Sequence, residues 1–202
     1  MARQTVFLGD SFTAGQGDAS ALGWVGRLAQ AAAAAGTPID VINLGLGGAT
    51  TAEIARHWER AVGAHLASAH TPRLILCAGV NDATSLGGDR TWVAPEVSER
   101  SVAAILDRAG ALGWPIFVLG PGPACDAAHD ARSSELEECF ARLCRERAVP
   151  FVAILAPLLA SGPWRAEAAA SDGLHPGAGG YAQLAELVIG AGLVDWLTAP
   201  ST

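Results

Sequence analysis

Five short apolar runs, separated by amphipathic segments, limit the folds that this chain can adopt. The runs occupy residues 6–8, 41–44, 74–77, 116–119 and 151–155. Each run is short and, apart from Asn43 in the second, continuously apolar, which is typical of a strand that is buried on both faces. Between the runs, apolar residues recur at helical spacing. Buried strands that alternate with helices predict an α/β fold, a three-layer α/β/α sandwich around a five-stranded parallel sheet.

Sequence signals also predict where several helices begin. Thr50 and Glu53 form one capping-box pattern, and Ser134 and Glu137 form a second. A last helix is expected to begin near Pro176, because proline is favoured in the first turn of a helix. The segments 84–93, 120–133 and 160–170 are predicted to be variable loops. No linker divides the pattern, so residues 1–202 are expected to form a single domain.

The composition restricts the classes of protein to which the chain can belong. Of the 202 residues, 50% are apolar and 16% are charged, so a disordered chain is not expected. The formal net charge of −7, without a cluster of basic residues, argues against a nucleic-acid-binding surface. No apolar run is long enough to cross a bilayer, and the first strand pattern begins too close to Met1 to leave room for a signal peptide. We therefore expect a cytoplasmic protein without membrane insertion.

The cysteines and histidines are not spaced for metal binding. Cys77, Cys125, Cys139 and Cys144 form no C-x-x-C pair and are expected to be reduced in the cytoplasm. The 5 histidines form no H-E-x-x-H or comparable pattern. The sequence therefore predicts neither a metal site nor a cofactor.

Polar and glycine-rich segments follow the predicted strands. Ser11 follows the first strand, the segment 43–51 (NLGLGGATT) follows the second, and Asn81 follows the third. Asp172 and His175 come between the fifth strand and the last helix. Taken singly, each has an ordinary structural explanation, such as a turn, a tight loop or a helix cap. Because parallel strands end at one edge of a sheet, together they would supply a nucleophile, a base, an orienting carboxylate and oxyanion donors.

Four of these segments resemble the sequence blocks of the GDSL esterases and lipases, also called SGNH hydrolases. The blocks are GDSFTAG (9–15), NLGLGG (43–48), GVND (79–82) and DGLHP (172–176), and they occur in the family's order. Phe12 replaces the family's usual leucine, a departure that affects packing rather than chemistry. The resemblance implies a flavodoxin-like sheet with the strand order 2-1-3-4-5.

The resemblance also implies a role for each matched residue. Ser11 would attack the acyl carbon, His175 would accept the serine proton, and Asp172 would orient the imidazole. The backbone N–H groups of Ser11 and Gly48 and the side-chain amide of Asn81 would form the oxyanion hole. The implied activity is hydrolysis of a small-molecule carboxylic ester through an acyl-enzyme, without a cofactor.

Other functions stay open at this point. Acyl transfer would use the same residues and would differ only in the acceptor of the acyl group. A phosphohydrolase with Asp10 as nucleophile is disfavoured, because no second clustered carboxylate for Mg²⁺ and no phosphate-binding lysine accompany it. We interpret Asp10 instead as a structural hydrogen-bonding residue. The intact Ser11, Asp172 and His175 argue against a non-catalytic binding protein, and the absence of a G-x-S-x-G elbow argues against an α/β-hydrolase.

The substrate is expected to be a short-chain or small soluble ester, because the sequence shows no long apolar lid. Acetylated sugars, lysophospholipids and thioesters fall within this range, whereas emulsified triglyceride is disfavoured. Trp92 and Trp164 lie in predicted loops, where they could form an apolar wall for the acyl or alcohol group. The alternative is that both indoles simply pack against the domain.

Overall fold

A computed structural model describes residues 3–66 and 71–199 of the chain. The strands are β1 (Arg3–Gly9), β2 (Ile39–Gly45), β3 (Arg73–Cys77), β4 (Ser85–Gly87), β5 (Arg90–Thr91), β6 (Ile116–Leu119) and β7 (Phe151–Val152). The helices are α1 (Ser11–Ala14), α2 (Gly23–Ala34), α3 (Thr51–His65), α4 (Pro95–Ala111), α5 (Ala127–Glu146), α6 (Leu155–Ala160), α7 (Gly162–Ala170), α8 (Ala178–Gly190) and α9 (Leu193–Thr198).

Five of the strands form one parallel sheet in the order β2-β1-β3-β6-β7. The short strands β4 and β5 pair with each other in a separate antiparallel hairpin. When only the strands of the large sheet are counted, its order is 2-1-3-4-5. The predicted α/β class and strand order are therefore confirmed.

The register brings the carboxyl ends of the central strands to one edge. Gly9, the last residue of β1, lies opposite Gly45 of β2 and Cys77 of β3. A side chain at position 9 would collide with Thr13 and with the carbonyl oxygen of Cys77, so glycine is needed for α1 to turn back this closely. The segments that follow these strands converge at this edge, as the sequence predicts.

Each face of the sheet contributes to its own apolar core. In β1, Val6 and Leu8 belong to the core formed with α3, α4 and α5, whereas Phe7 belongs to the core formed with α2 and α8. This alternation is the two-residue period of a strand, and the side chains on both faces are buried. Phe7 also meets Trp24 of α2 edge to face, with ring centroids 5.5 Å apart. The helices on the two faces complete the three layers of the sandwich.

One predicted helix start is confirmed and another is slightly displaced. Thr50 Oγ1 accepts a hydrogen bond from the Glu53 backbone N–H, and Glu53 Oε2 accepts one from the Thr50 N–H, which is the predicted capping box at the start of α3. The helix expected near Pro176 has Gly177 as its N-cap. It ends at Gly190, and the chain turns at Gly192 before the separate short helix α9.

The second predicted capping box is wrong. Asp126 is the N-cap of α5, so Ser134 lies inside this helix. The Glu137 carboxylate instead accepts hydrogen bonds of 2.9 and 3.0 Å from the backbone N–H groups of Ile154 and Leu155. An S-x-x-E pattern fits the interior of a helix as well as its start, and the sequence does not distinguish the two.

All three predicted loops contain regular structure, and segment 120–133 includes the start of α5 at Ala127. Segment 160–170 includes α7, whose N-cap Ser161 accepts a hydrogen bond of 3.2 Å from the Trp164 N–H. Segment 84–93 includes the β4–β5 hairpin, and the fifth strand is shorter than its apolar run because α6 begins at Leu155. Within the described ranges, none of the helices combines the length and the apolar character that a membrane span requires.

Candidate active site

Ser11 is the first residue of α1, and the residues beside it fix its position. Asp10 caps this one-turn helix, because its Oδ1 accepts a hydrogen bond of 2.9 Å from the Phe12 backbone N–H. The buried Phe12 ring packs edge to face on Trp164 and on the imidazole of His175, with centroids 5.3 and 5.6 Å away. A short, well-packed turn therefore presents the serine at the end of β1.

His175 connects Ser11 to Asp172 through two short hydrogen bonds. Its Nε2 lies 2.7 Å from Ser11 Oγ, and its Nδ1 lies 2.6 Å from Asp172 Oδ2. The histidine side chain is 8% exposed, and the aspartate side chain is 53% exposed. When Nδ1 carries the hydrogen it donates to the carboxylate, and Nε2 is then free to accept the serine hydroxyl. The three predicted catalytic side chains thus meet in the order that proton transfer requires.

A tight turn holds the Asp172 carboxylate against the imidazole. Its Oδ1 accepts hydrogen bonds of 3.0 and 2.9 Å from the backbone N–H groups of Leu174 and His175. The backbone N–H of His175, followed by the hydrogen bond with its ring, holds the pKa of Asp172 well below the usual range. The carboxylate therefore stays ionised at neutral pH and can stabilise an imidazolium.

Three residues that the sequence analysis did not identify support this arrangement. The Gln16 carbonyl accepts a hydrogen bond of 2.6 Å from the Tyr181 hydroxyl. Gln16 Nε2 lies 3.4 Å from His175 Nδ1, but both are donors when Nδ1 carries the hydrogen, so this contact is not a hydrogen bond in that tautomer. Ser171 Oγ donates a 2.6 Å hydrogen bond to the His175 carbonyl. The only sequence signal for Gln16 and Ser171 is that each lies next to a motif block; nothing in the sequence distinguishes Tyr181 from an ordinary core residue.

The two other predicted oxyanion donors lie on adjoining loops. Gly48 follows β2 with a φ of +76°, a backbone conformation that favours glycine. A Cβ at this position would meet nothing within 4 Å, so the backbone there is open to a ligand. Asn81 follows β3 and is buried, and its Nδ2 donates a hydrogen bond of 2.9 Å to the Ala49 carbonyl. A carboxamide carries two N–H hydrogens, so this contact leaves one for another acceptor.

Asp82 connects these two loops through hydrogen bonds of its buried carboxylate. Its side chain is fully buried and accepts hydrogen bonds from the Thr51 backbone N–H at 2.9 Å and from Ser98 Oγ at 2.6 Å. The Thr51 hydroxyl also donates to it. Burial raises the pKa of this carboxyl group. The sequence assigns no separate role to Asp82, whereas the structure shows it joining the Asn81 loop to the first turn of α3 and to α4.

Asp10 has the structural position that the sequence suggests. It is 1% exposed and is used as the cap of α1. Burial raises its pKa from 3.8 to about 7, an effect that the hydrogen bond from the Phe12 N–H partly opposes. In the part of the chain that the structure describes, no three His, Cys, Asp or Glu side chains are grouped so as to hold a metal ion.

The two tryptophans that were predicted to contact substrate have different environments. Trp92 is 54% exposed, whereas Trp164 is 0% exposed. The Trp164 ring packs against Phe12 and Tyr181, with centroid separations of 5.3 and 5.9 Å. The prediction that Trp164 forms part of a substrate wall is therefore wrong, because α7 places its indole inside the core beneath Ser11. Trp92 has the exposed surface that such a contact needs.

A groove of about 510 Å³ opens between the Gly48 loop, α3 and the segment that follows β5. It is lined by backbone and side chains of both polar and apolar character, among them Gly48, Thr50, Glu53, Arg56, Trp92 and Val97. The groove thus reaches one of the predicted oxyanion donors and has Trp92 on its wall.

The fold is shared with solved structures of esterases. An acetylxylan esterase from Geobacillus stearothermophilus is 20% identical and superimposes with a TM-score of 0.75, covering 99% of this chain and 96% of its own. A lipase/acylhydrolase from Enterococcus faecalis is 23% identical, with a TM-score of 0.75 and coverages of 94% and 95%. A psychrotrophic esterase from Pseudoalteromonas sp. is 16% identical, with a TM-score of 0.75 and coverages of 98% and 100%. At these identities the similarity establishes the fold.

Family membership rests on the sequence. Comparison with curated proteins found no match. The profile of the GDSL-like Lipase/Acylhydrolase family, however, matches residues 7–183, a range that includes all four motif blocks. The resemblance stated from those blocks is therefore confirmed, and the chain belongs to the GDSL-like lipase/acylhydrolase family.

Proposed function

We propose that this protein hydrolyses small soluble carboxylic esters through an acyl-enzyme formed on Ser11. One observation carries the proposal: a continuous hydrogen-bonded chain runs from Ser11 Oγ through His175 to the Asp172 carboxylate, with distances of 2.7 and 2.6 Å. A hydroxyl, an imidazole and an ionised carboxylate in this order form an activated nucleophile.

In the first half of the reaction, Ser11 Oγ forms a bond to the acyl carbon while His175 Nε2 takes the hydroxyl proton. The Asp172 carboxylate accepts a hydrogen bond from Nδ1–H and stabilises the imidazolium without taking its proton. The imidazolium then gives its proton to the departing alcohol as the carbon–oxygen bond of the ester breaks. A water molecule, deprotonated by the same Nε2, attacks the acyl carbon. The bond between the acyl carbon and Ser11 Oγ then breaks, the imidazolium returns the proton to Ser11 Oγ, and the acid is released.

The negative charge that develops on the carbonyl oxygen needs donors at the same edge of the sheet. The Ser11 N–H belongs to the first turn of α1, where backbone N–H groups have no partner within the helix. The backbone at Gly48 borders open space on its Cα side, and Asn81 offers its second amide hydrogen. We assign these three groups to the oxyanion hole because such donors stabilise the transition state more than the ground state.

The structure favours this mechanism over catalysis by Asp10. The Asp10 carboxylate is buried and accepts a hydrogen bond from the Phe12 N–H, so it is not presented to a ligand. Acyl transfer is a second candidate function. It uses the same residues and differs only in that an alcohol, instead of water, attacks the acyl-enzyme. Comparing the acid and ester products formed with and without added methanol separates the two activities.

The test is covalent labelling. A fluorophosphonate that reacts with activated serines is expected to modify Ser11 alone, as located by peptide mass spectrometry. The Ser11→Ala variant should be neither labelled nor active on methyl acetate. Ser134→Ala, which alters a serine inside α5, serves as the control and should behave like the unmodified chain. Hydrolysis that survives in Ser11→Ala would contradict the proposed function.

A further inference from the structure

We propose that the groove beside Gly48 binds a neutral, polyhydroxylated group, and that the ester substrates preferred by this protein are acylated sugars. The proposal rests on the proposed function, since it assigns a substrate class to the same site. It depends on three side chains that line the groove: Trp92, Glu53 and Arg56.

Trp92 offers a flat apolar surface at a fixed place. The residue is 54% exposed, although its backbone is held by hydrogen bonds. The Trp92 N–H donates a 2.8 Å hydrogen bond to the Thr84 carbonyl, and Thr91 Oγ1 donates one of 2.6 Å to the Val93 carbonyl. An indole on a held backbone presents a large contact area and loses little conformational entropy on binding. The apolar C–H face of a sugar ring is a surface of matching shape.

Glu53 supplies a hydrogen-bond acceptor that is already oriented. Its Oε2 accepts hydrogen bonds from the Thr50 N–H and from Thr50 Oγ1, at 2.9 and 3.0 Å. These bonds lower the pKa of Glu53, so the side chain is ionised at neutral pH. Because both bonds use one oxygen, Oε1 keeps its capacity to accept hydrogen bonds from sugar hydroxyls.

Arg56 supplies donors on the same side of α3. It lies three residues after Glu53, a spacing that places the two side chains on neighbouring positions of one helix face. Within the described residues, Arg56 forms no close ion pair of the kind that Arg27, Arg108, Arg142 and Arg147 form, although its charge contributes to lowering the pKa of Glu53. Its guanidinium therefore keeps its donors for a ligand.

The charges of the groove favour a neutral ligand. Glu53 and Arg56 contribute one charge of each sign, and the chain as a whole carries a net charge of −7, which disfavours an anionic ester. A long alkyl chain in this groove would have to displace water from both charged groups without replacing their hydrogen bonds. Hydroxyl groups can replace those bonds, and a sugar ring also covers the indole. Among soluble esters, acylated sugars meet these requirements best.

The test compares two acetate esters that share the acyl group. A methyl xyloside carrying one acetyl group contains the sugar, and methyl acetate does not. We expect Trp92→Ala and Arg56→Ala each to lower the ratio of kcat/KM for the xyloside to kcat/KM for methyl acetate by about tenfold, mainly through KM of the xyloside. Trp92→Phe, which retains an aromatic face, should recover much of the ratio.

Matched controls are available on the same elements. Leu86 is an exposed apolar residue of the β4–β5 hairpin, and Arg60 is an exposed residue one turn further along α3; neither lines the groove. Leu86→Ala and Arg60→Ala should leave the ratio unchanged. An unchanged ratio in both groove variants would overturn the subsite, and so would a wild-type chain that hydrolyses methyl acetate but shows no preference for the acetylated xyloside.

Binding separates failure of this proposal from failure of the proposed function. If the wild type hydrolyses neither ester, the proposed function is wrong, and the subsite is then decided by tryptophan fluorescence. Addition of unacetylated methyl xyloside should change the emission of the Ser11→Ala chain, and the additional Trp92→Ala substitution should remove that change. The absence of any sugar-dependent change attributable to Trp92 would overturn the proposed subsite.

Discussion

The two halves of the candidate site are assembled differently. In the acid–base arm, formed by Ser11, His175 and Asp172, hydrogen bonds of 2.7 and 2.6 Å join the functional atoms themselves. In the proposed oxyanion arm, formed by Gly48 and Asn81, Asn81 Nδ2 donates a hydrogen bond to the Ala49 carbonyl. That carbonyl is not one of the proposed oxyanion donors. The first arm is connected through the atoms that react, and the second through the loops that carry them.

Chain connectivity explains this difference. Asp172 and His175 lie in one turn, so local hydrogen bonds are enough to orient them. Gly48 and Asn81 follow different strands, so tertiary contacts must hold their loops together. The buried Asp82 provides these contacts by accepting hydrogen bonds from Thr51 and Ser98. Substitutions in the acid–base arm should therefore act directly on chemistry, whereas the oxyanion arm should also respond to residues that never touch substrate.

The largest effect that tests this comparison is expected from Asp172→Asn. The substitution keeps the size of the side chain but removes the charge that fixes the imidazole tautomer, and we expect kcat for methyl acetate to fall by about 10⁴-fold. Asp126→Asn, at the N-cap of α5, is the control and should retain activity. A rate within tenfold of the wild type would mean that the acid–base arm does not work through Asp172.

A smaller effect is expected from Asn81→Ala. Loss of one oxyanion donor costs about 10²–10³ in kcat, with little change in KM. Asn81→Asp should be at least as damaging to kcat. It does not, however, distinguish an oxyanion donor from a residue that only holds the loop in place. A carboxylate would also face the Ala49 carbonyl, so it is unfavourable even for a purely structural residue. The diagnostic result is a loss in kcat of Asn81→Ala without a matching rise in KM; an effect confined to the thermal unfolding midpoint would indicate a structural role.

Asp82→Asn tests the hydrogen bonds that join the Asn81 loop to α3 and α4. We expect kcat to fall by about tenfold. The amide oxygen can still accept the Thr51 N–H, but the two hydroxyl contacts must rearrange. Because Asp82 acts by placing Asn81 and the Gly48 loop, its substitution should cost less in an Asn81→Ala background than alone. Fully additive effects on kcat would contradict this positioning role.

The smallest effect is expected from Cys125→Ser, because neither arm uses a thiol. Cys125 is exposed, and burial of part of its side chain raises the pKa of the thiol, so little thiolate is present at neutral pH. Turnover of methyl acetate should stay within twofold of the wild type, as is usual for surface substitutions. A loss of activity would place the loop after β6 inside the functional site.

The sequence predicts those parts of the fold and site that depend on patterns along the chain. The five strands and the Thr50–Glu53 box are encoded by neighbouring residues and are found near the expected positions. Two strands differ from the prediction: β2 lies at the edge of the sheet and is only partly buried, and β7 is shorter than its apolar run. Ser134 was misplaced because its pattern is equally compatible with a helix interior, and Trp164 because nothing nearby shows that α7 turns its indole inward. The role of Asp82 depends on contacts with two distant helices, which a single sequence does not record.

The burial of Asp10 affects the pH range over which the folded chain is stable. Between its ordinary pKa of 3.8 and its raised pKa of about 7, the folded chain retains a proton that the unfolded chain releases. The free energy of unfolding therefore falls as pH rises through this window, and the full cost of burying the charge is present above it. An imidazole base works only when it is deprotonated, so the residue that presents the nucleophile weakens the fold under the conditions that favour catalysis. Asp10→Asn, whose amide oxygen can still cap α1, should flatten the pH dependence of the thermal unfolding midpoint. Stability should then no longer fall over the pH range in which activity rises.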